Sequence, residues 1–276
     1  MGRSLARQLG TQLILDTSHY APEFFYASQT FRQYALDSFR ISPRILGPRA
    51  QYCIRQLRRR WLMPARIVAQ MGGIIRIEVD KERGFDETLR HKRINLYLDG
   101  YWQSERYFAD IRESLLDELS MREPASPDTG QMLARINEEL SVCVHVRRGD
   151  YFSTSHGKNT YAACGLDYYK SAIAYIGERV ANAKFYLFSD DPSWIQDNFQ
   201  PAKNMVVVSG AGARRDLEDF RLMMNCRHFI IANSSFSWWA AWLGKQNGKI
   251  VVAPKQWYSD PKFTDKDLVP DLWVRL

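Results

Sequence analysis

The sequence predicts an α/β protein whose C-terminal half carries a doubly wound parallel sheet. From about residue 140 onward, short apolar segments alternate with amphipathic helical segments, which is the pattern of consecutive βαβ units. The 276 residues, 45% of them hydrophobic, suffice for one large domain or two small ones. The polar Pro/Gly-rich segment 121–130 resembles a linker. We therefore predict two domains, residues 1–136 and 137–276.

The N-terminal half gives a weaker pattern. A helix over 3–9 is expected to stop at Gly10, because glycine readily ends helices. Apolar segments predict strands at 12–16, 73–80 and 94–100. Residues 20–48 mix aromatic residues with prolines and predict mostly loop, and the spacing of apolar residues over 104–119 predicts an amphipathic helix.

The C-terminal half gives a regular pattern of alternating strands and helices. Helical segments are apolar along one face, as Leu217, Phe220 and Met224 show. The predicted strands are 142–147, 184–188, 205–208, 228–232 and 250–253, and the predicted helices are 167–180, 192–199, 215–226 and 236–245.

Composition limits the classes of partner. A net charge of +7 favours an anionic partner, but the dense basic residues are confined to 55–60 (RQLRRR), so a nucleic-acid-binding face is disfavoured. We interpret that cluster as a solvated helix face; the alternative is a peripheral contact with an anionic membrane lipid or with a phosphorylated acceptor. No apolar run reaches the length of a membrane span. The four cysteines form no CxxC pair, which indicates reduced thiols in a cytosolic protein and gives no metal-binding pattern.

Polar residues follow three of the predicted strands. Arg147, Arg148 and Asp150 follow the first, Asp190–Asp191 follow the second, and 233–237 (NSSFS) follow the fourth. Ligands of open α/β sheets bind outside the carboxyl ends of the strands. The three groups are therefore expected to form one site.

The arginine pair predicts phosphate binding, since a guanidinium group matches phosphate oxygens two at a time. Asp150 adds a carboxylate that could orient a hydroxyl group. His145 lies on the same side of its strand as Arg147. It is either a satisfied core residue or a ligand contact, and the sequence does not separate the two.

Segment 233–237 precedes a helix, so Asn233, Ser234 or Ser235 could simply be its N-cap. Four polar residues in five exceed what a cap needs, and we favour a diphosphate site at the helix N-terminus. Of Asp190 and Asp191, one could cap the following helix while the other accepts hydrogen bonds from a base or ribose. Asp265–Lys266–Asp267 is interpreted as a solvated turn rather than a metal site.

Several segments, in order, resemble glycosyltransferase family 11, the α-1,2-fucosyltransferases that use GDP-fucose. The resemblance covers nearly the whole chain. The segments that carry it are YLDGYWQSERYF (97–108), HVRRGDY (145–151), LDYYKSAIAYI (166–176), FYLFSDDPSW (185–194), NSSFSWWAAWL (233–243) and VPDLWVRL (269–276).

The resemblance implies a GT-B-like architecture, in which two Rossmann-like domains face a cleft, with the acceptor side in 1–136 and the donor side in 137–276. It implies inverting transfer of fucose to O2 of a terminal galactose, without a metal or other cofactor. Arg147, with Arg148 as a second arginine, would neutralise the charge of the diphosphate. Asp150 would be either the base for the acceptor hydroxyl or a residue that binds the sugar donor. Ser234, Ser235 and the Phe236 amide would hold phosphates. Either Asp190 or Asp191 would contact guanosine, with His145 as a further candidate.

Family members open with a strand and a GGLGNQMFQYA-like loop. Residues 1–6 resemble the middle of the helix that follows this loop, so we expect both to be missing, through a late start or a truncated gene. An inactive homologue and another GDP-sugar transferase are the alternatives. The implied acceptor is a galactose-terminated oligosaccharide or lipid-linked glycan, at a bacterial cytoplasmic location, either free or at the inner membrane.

Overall fold

The computed structural model describes residues 1–20, 33–52, 76–80, 84–91, 96–149, 154–199, 202–208 and 215–276. The chain groups into two compact units, Met1–Arg122 with Lys262–Leu268, and Glu123–Pro261 with Val269–Leu276. The division after residue 136, and the role of each half, stay predictions.

The first unit contains short elements in two parallel strand pairs. Strand β1 pairs with β2, and β3 pairs with β4. The elements are α1 (Gly2–Gln8), β1 (Ile14–Leu15), β2 (Arg44–Ile45), β3 (Arg76–Val79), β4 (Leu96–Asp99) and α2 (Arg112–Glu118).

The second unit alternates strands and helices along nearly its whole length. Its elements are α3 (Pro127–Glu138), β5 (Ser141–Val146), α4 (Ser155–Thr160), α5 (Leu166–Gly177), β6 (Lys184–Ser189), α6 (Pro192–Asn198), β7 (Met205–Val207), α7 (Arg215–Met224), β8 (His228–Ile230), α8 (Ser235–Leu243), β9 (Val251–Ala253) and β10 (Val274–Arg275).

The six strands of the second unit form one parallel sheet in the order β10–β9–β8–β5–β6–β7. The chain runs from β5 outward to β7, then returns to the other side of β5 and runs outward to β10. The parallel sheet predicted for this half is therefore confirmed. The strand order reverses between β5 and β8, where open α/β sheets bind their ligands.

Strand β5 lies at the centre of this sheet and is buried along its whole length. Val142, Val144 and Val146 pack on one face against residues of α5 and α6. Both faces of the strand are covered, which is why its sequence is apolar apart from Ser141 and His145. The charged residues that follow it thus start from a rigid support.

Two predicted elements differ from the structure. The predicted helix over 104–119 is broken into 3-10 turns at Glu105–Tyr107 and Ala109–Ile111 before α2 begins. Phe108, almost completely buried, has φ −150° and interrupts the helix so that its ring can enter the core. The linker expected over 121–130 is wrong from residue 127 onward, because Ser126 accepts a hydrogen bond from Thr129 N–H and caps α3.

Helix α8 is secured at its C-terminal end by Lys249. The Nζ group donates hydrogen bonds to the carbonyl oxygens of Ala241 (2.6 Å), Trp242 (3.2 Å) and Gly244 (2.8 Å). A cation at this end also opposes the helix dipole. A Cβ atom at Gly244 would lie 2.7 Å from the Phe229 ring, so a glycine allows the helix to end against the sheet.

None of the helices in the described ranges is long and apolar enough to cross a bilayer.

Candidate functional site

Arg147 and Asp190 meet because their strands end side by side. Val146 is paired with Ser189 in the parallel register of β5 and β6, so the next residue of each strand emerges at the same edge. Nη1 of Arg147 lies 3.0 Å from Oδ2 of Asp190. The two side chains are 22% and 25% exposed, so the pair is partly desolvated but still open to a ligand.

Asp190 also holds the backbone that follows β5. Its Oδ1 accepts a hydrogen bond of 2.9 Å from the N–H of Arg148. A Cβ atom at Gly149 would lie 2.5 Å from Oδ2 of Asp190, so glycine permits this close approach. Asp190 therefore fixes both the first guanidinium group and the chain that carries the second.

Arg148 is placed differently from Arg147. Its guanidinium carbon lies 4.5 Å above the centre of the Trp194 ring, and its Nε is 3.8 Å from Oδ2 of Asp191. Stacking and the nearby carboxylate restrict its orientation. The two arginines thus enter the site from different supports, one on a carboxylate and the other on an aromatic ring.

Asp191 is the N-cap of α6. Its Oδ1 accepts hydrogen bonds from the Ser193 hydroxyl (2.8 Å) and from Trp194 N–H (3.1 Å). These bonds, with Arg148 nearby, hold the pKa of Asp191 below its usual value. Of the two predicted acidic residues, Asp191 takes the capping role, and contact of either one with guanosine stays a prediction.

His145 lies buried on β5, with its ring centre 5.7 Å from that of Phe236. Among the described residues, none forms a hydrogen bond with its Nδ1 atom, which is fully covered. Burial first, and the charge of Arg147 second, lower the pKa of His145 to about 3. The imidazole is therefore neutral at physiological pH and has an unused ring nitrogen beside the predicted site.

The buried imidazole predicts a pH dependence of stability. Since the folded pKa is about 3 and the ordinary value is 6.5, only the unfolded chain gains this proton between those values. The contribution is complete above pH 6.5 and is lost as pH falls towards 3, at up to about 1.4 kcal/mol per pH unit. We expect His145→Phe to flatten the slope of unfolding free energy against pH between 6.5 and 4, as measured by urea unfolding. An unchanged slope would show that the pKa of His145 in the folded state lies close to its ordinary value.

Asn233 is nearly fully buried and its side chain is engaged within the protein. Its Nδ2 donates to the carbonyl oxygens of Ala162 (2.6 Å) and Trp257 (3.0 Å). Its Oδ1 accepts from Sγ of Cys164 (3.4 Å), whose pKa is raised to about 11 by burial. Asn233 therefore joins two loops to the entrance of α8. Its predicted contact with the donor stays a prediction.

The first backbone amides of α8 are not engaged by the side chain of the N-cap residue. Ser234 occupies the N-cap position, but its side chain makes no capping hydrogen bond. The first intrahelical bond runs from Trp238 N–H to the Ser234 carbonyl at 3.0 Å, so the amides of residues 235–237 precede the helical ladder. Ser235 is exposed, whereas the Ser237 hydroxyl lies 3.2 Å from the Ser234 carbonyl oxygen. This geometry favours an anion site over simple capping.

Three further predicted groups have different outcomes. Asp150 lies outside the described residues, as does the basic segment 55–60. The solvated-turn interpretation of Asp265–Asp267 is wrong for Asp267, which belongs to the first unit. Its carboxylate accepts from Phe85 N–H at 3.2 Å and pairs with Arg106 at 3.0 Å.

Sequence reasoning missed the residues that support the site. Trp194 supports Arg148 and packs edge-on against the buried Tyr169 at 6.4 Å between ring centres. Tyr168 donates its hydroxyl hydrogen bond to the Ile231 carbonyl at 2.6 Å, beside the exit of β8. Each occurs in a segment that reads as an ordinary amphipathic helix, and only the position of Trp194, three residues after the capping Asp191, offered a signal.

A family model described as glycosyl transferase family 11 matches residues 30–276. The chain belongs to this family. The matched region includes the whole parallel sheet and the polar residues at its carboxyl edge. The predicted family membership is therefore confirmed.

Curated proteins that are similar in sequence to this chain include bacterial and primate proteins. An Escherichia coli alpha-1,2-colitosyltransferase is 36% identical over 64% of this chain and 61% of its own length. The E. coli O-antigen biosynthesis glycosyltransferase WbnK is 36% identical over 49% and 44%, respectively. Galactoside alpha-(1,2)-fucosyltransferase 1 of Leontopithecus chrysomelas is 26% identical over 67% of this chain and 58% of that protein. The matches thus span between two fifths and two thirds of the relatives' lengths.

Among solved structures, the fucosyltransferase NodZ from Bradyrhizobium aligns with 86% of this chain and 85% of its own, at 15% identity and a TM-score of 0.42.

Proposed function

We propose that this chain transfers L-fucose from GDP-fucose to O2 of a terminal galactose, with inversion and without a metal ion. The observation that carries the proposal is that Arg147, after β5, and the N-terminus of α8, after the neighbouring strand β8, both follow the carboxyl edge of one sheet. Two separate elements there offer hydrogen-bond donors to a diphosphate. Family membership supplies the reaction class.

In this mechanism the acceptor O2 attacks the anomeric carbon as the bond from that carbon to the diphosphate oxygen breaks. The guanidinium group of Arg147 and the amides of residues 235–237 take up the charge that develops on the leaving GDP. The proton of the attacking hydroxyl passes to a base, for which Asp150 is our candidate. Neutral His145, whose covered Nδ1 atom makes no hydrogen bond within the described residues, would contact guanosine.

Arg148, Asp191 and Asp190 complete this proposed donor site. Arg148 would contact the diphosphate from its position on the Trp194 ring. Asp190 and Asp191 would direct their remaining acceptor capacity to guanosine. Ser234 and Ser235 would add hydroxyl donors to phosphate, and the Phe236 amide would do the same from the backbone.

A specific relative favours a second candidate, which is the transfer of colitose, a sugar equal to fucose without its 3-hydroxyl group. The colitosyltransferase of E. coli has the same identity to this chain as WbnK, over a longer match. The phosphate contacts described above do not distinguish the two sugars. Discrimination requires a contact at the sugar 3-hydroxyl, so a donor comparison decides between them.

The proposal includes the architecture, the acceptor and the location of the protein. We propose a GT-B-like arrangement of two Rossmann-like domains. The acceptor is a galactose-terminated oligosaccharide or lipid-linked glycan, and the enzyme acts in the bacterial cytoplasm or at the inner membrane. The role of its relative WbnK in O-antigen biosynthesis supports a surface-polysaccharide acceptor.

The test is GDP release from GDP-fucose and from GDP-colitose, with lactose as acceptor, in EDTA. We expect acceptor-dependent release with one donor and an NMR spectrum showing a new linkage at galactose O2. GDP binding is measured in parallel by calorimetry. Loss of activity in EDTA would overturn the metal-independent mechanism. Absence of GDP binding would overturn the donor site itself.

A further inference from the structure

The loop Gly100–Ser104, which follows β4 in the first unit, holds a strained backbone. Trp102 has φ +50°, in the left-handed region that a bulky side chain rarely adopts. Gly100 has φ +157°, and a Cβ atom there would lie 2.2 Å from Cβ of Asp80. Such strain persists where the surroundings enforce it, and it concentrates at ligand sites.

The same loop buries two polar groups that have no hydrogen-bond partner in the part of the chain that the structure describes. Within the described residues, neither Nε1 of Trp102 nor Oγ of Ser104 makes a hydrogen bond, although both atoms are covered. Buried donors without partners are rare in native proteins because each loses its bonds to water. Two of them within three residues of a strained backbone indicate a segment that gains its missing bonds from a ligand.

The surroundings of the loop are aromatic and rigid. The Tyr101 side chain is two-thirds exposed, while the Trp102 ring lies edge-on to Tyr107, 6.0 Å between centres. The hydroxyl of Tyr107 accepts from Asp86 N–H at 2.6 Å and donates to the Gly84 carbonyl at 3.1 Å. The loop therefore rests on a fixed ring while presenting another ring outward.

The charges near the loop select against an anionic ligand. The Asp80 carboxylate accepts from Trp102 N–H at 3.0 Å, and Asp86 is exposed nearby. Arg106 is engaged by Asp267 at 3.0 Å and by the Phe85 ring, 4.0 Å from its centre. An exposed aromatic ring, carboxylate acceptors and an indole donor together suit a neutral molecule with many hydroxyl groups, since sugar rings stack on aromatic faces and bond through their hydroxyls.

We propose that the loop Gly100–Ser104 is the subsite that binds the acceptor galactoside of the transferase proposed above. The sugar ring lies against Tyr101, and a sugar hydroxyl accepts the hydrogen bond of Trp102 Nε1. Because that nitrogen is now covered, binding turns the loop outward and relieves its backbone strain. The inference rests on the proposed function for the identity of the sugar.

The experiment uses the full chain with lactose as the probe. Three variants separate the contacts: Tyr101→Ala removes the stacking ring, Tyr101→Phe keeps it, and Trp102→Phe keeps an aromatic ring but removes the donor. Tyr175→Ala is the matched control, because Tyr175 is a partly exposed tyrosine on α5, outside the loop. Lactose affinity is titrated by saturation-transfer NMR, GDP affinity by calorimetry, and KM for lactose is measured separately from kcat.

We expect Tyr101→Ala and Trp102→Phe each to weaken lactose binding and raise its KM about tenfold, with GDP affinity unchanged. Tyr101→Phe should stay within about twofold of the parent, as should Tyr175→Ala. Trp102→Phe should keep or raise the melting temperature, because it removes a buried donor for which the described residues supply no acceptor. Unchanged lactose affinity in Tyr101→Ala and Trp102→Phe, with normal GDP binding, would overturn this subsite while leaving the donor site intact. Lost GDP binding by the parent chain would instead count against the proposed function.

Discussion

Replacing Arg147 with alanine is expected to lower kcat/KM by about 100-fold or more, the largest effect of any single change in the site. The guanidinium group lies 3.0 Å from Asp190 at the end of the central strand, where little movement is available. In the proposed mechanism, a guanidinium group held in this way stabilises the charge that develops on the leaving diphosphate, and it does not have to change position to do so. Its removal should therefore reduce kcat more than it reduces GDP affinity.

Arg147→Lys tests the geometry of that contact. Lysine restores the charge but cannot hold two oxygens at once, so we expect it to recover only part of the loss. Arg179→Ala is the matched control, since that guanidinium lies on the surface over the Tyr175 ring, 3.6 Å from its centre. Steady-state kinetics with GDP-fucose and lactose, with GDP calorimetry, measure both effects. Near-normal turnover of Arg147→Ala would remove Arg147 from the mechanism.

The regular half of the fold could be predicted from the sequence because its signals were local. Strand β5 is a short run of apolar residues buried on both faces, and the segments around it repeat the same pattern. Convergence of Arg147 and Asp190 was predictable as well, because parallel strands release their chains at one edge. The sequence does not predict which oxygen of Asp190 contacts the Arg147 guanidinium group and which contacts the Arg148 amide. That assignment depends on the pairing of Val146 with Ser189.

The failures have a common physical cause. Phe108 breaks the helix expected over 104–119 because burying its ring outweighs local helical preference, and periodicity does not report that competition. Asp267 was assigned to solvent because it lies in a polar stretch, whereas Arg106, far away in sequence, pairs with it. Asn233 could be placed at a helix entrance, but its bonds to Ala162 and Trp257 depend on two loops that only the folded chain brings together.

Asp190 is expected to act by positioning the arginines, and its replacement by alanine should lower kcat/KM by about 10- to 100-fold. One oxygen of the carboxylate holds the Arg147 guanidinium group, and the other holds the Arg148 amide at 2.9 Å. Alanine leaves both groups without their acceptor. Asp190→Asn keeps an oxygen that can accept from the Arg148 amide but loses the negative charge. Its kcat/KM should therefore lie between those of Asp190→Ala and the parent. Asp197→Ala, which changes an exposed aspartate on α6, is the matched control.

A double-mutant cycle separates positioning from direct contact with guanosine. If Asp190 acts mainly through Arg147, then Arg147→Ala combined with Asp190→Ala should be little worse than Arg147→Ala alone, because only the Arg148 amide is then left for Asp190 to hold. If Asp190 binds guanosine independently, the two losses should multiply, and the Asp190 variant should lose affinity for GDP. The 3.0 Å contact between the two side chains leads us to expect the first result. Multiplying losses would return Asp190 to the role that the family resemblance implies for it.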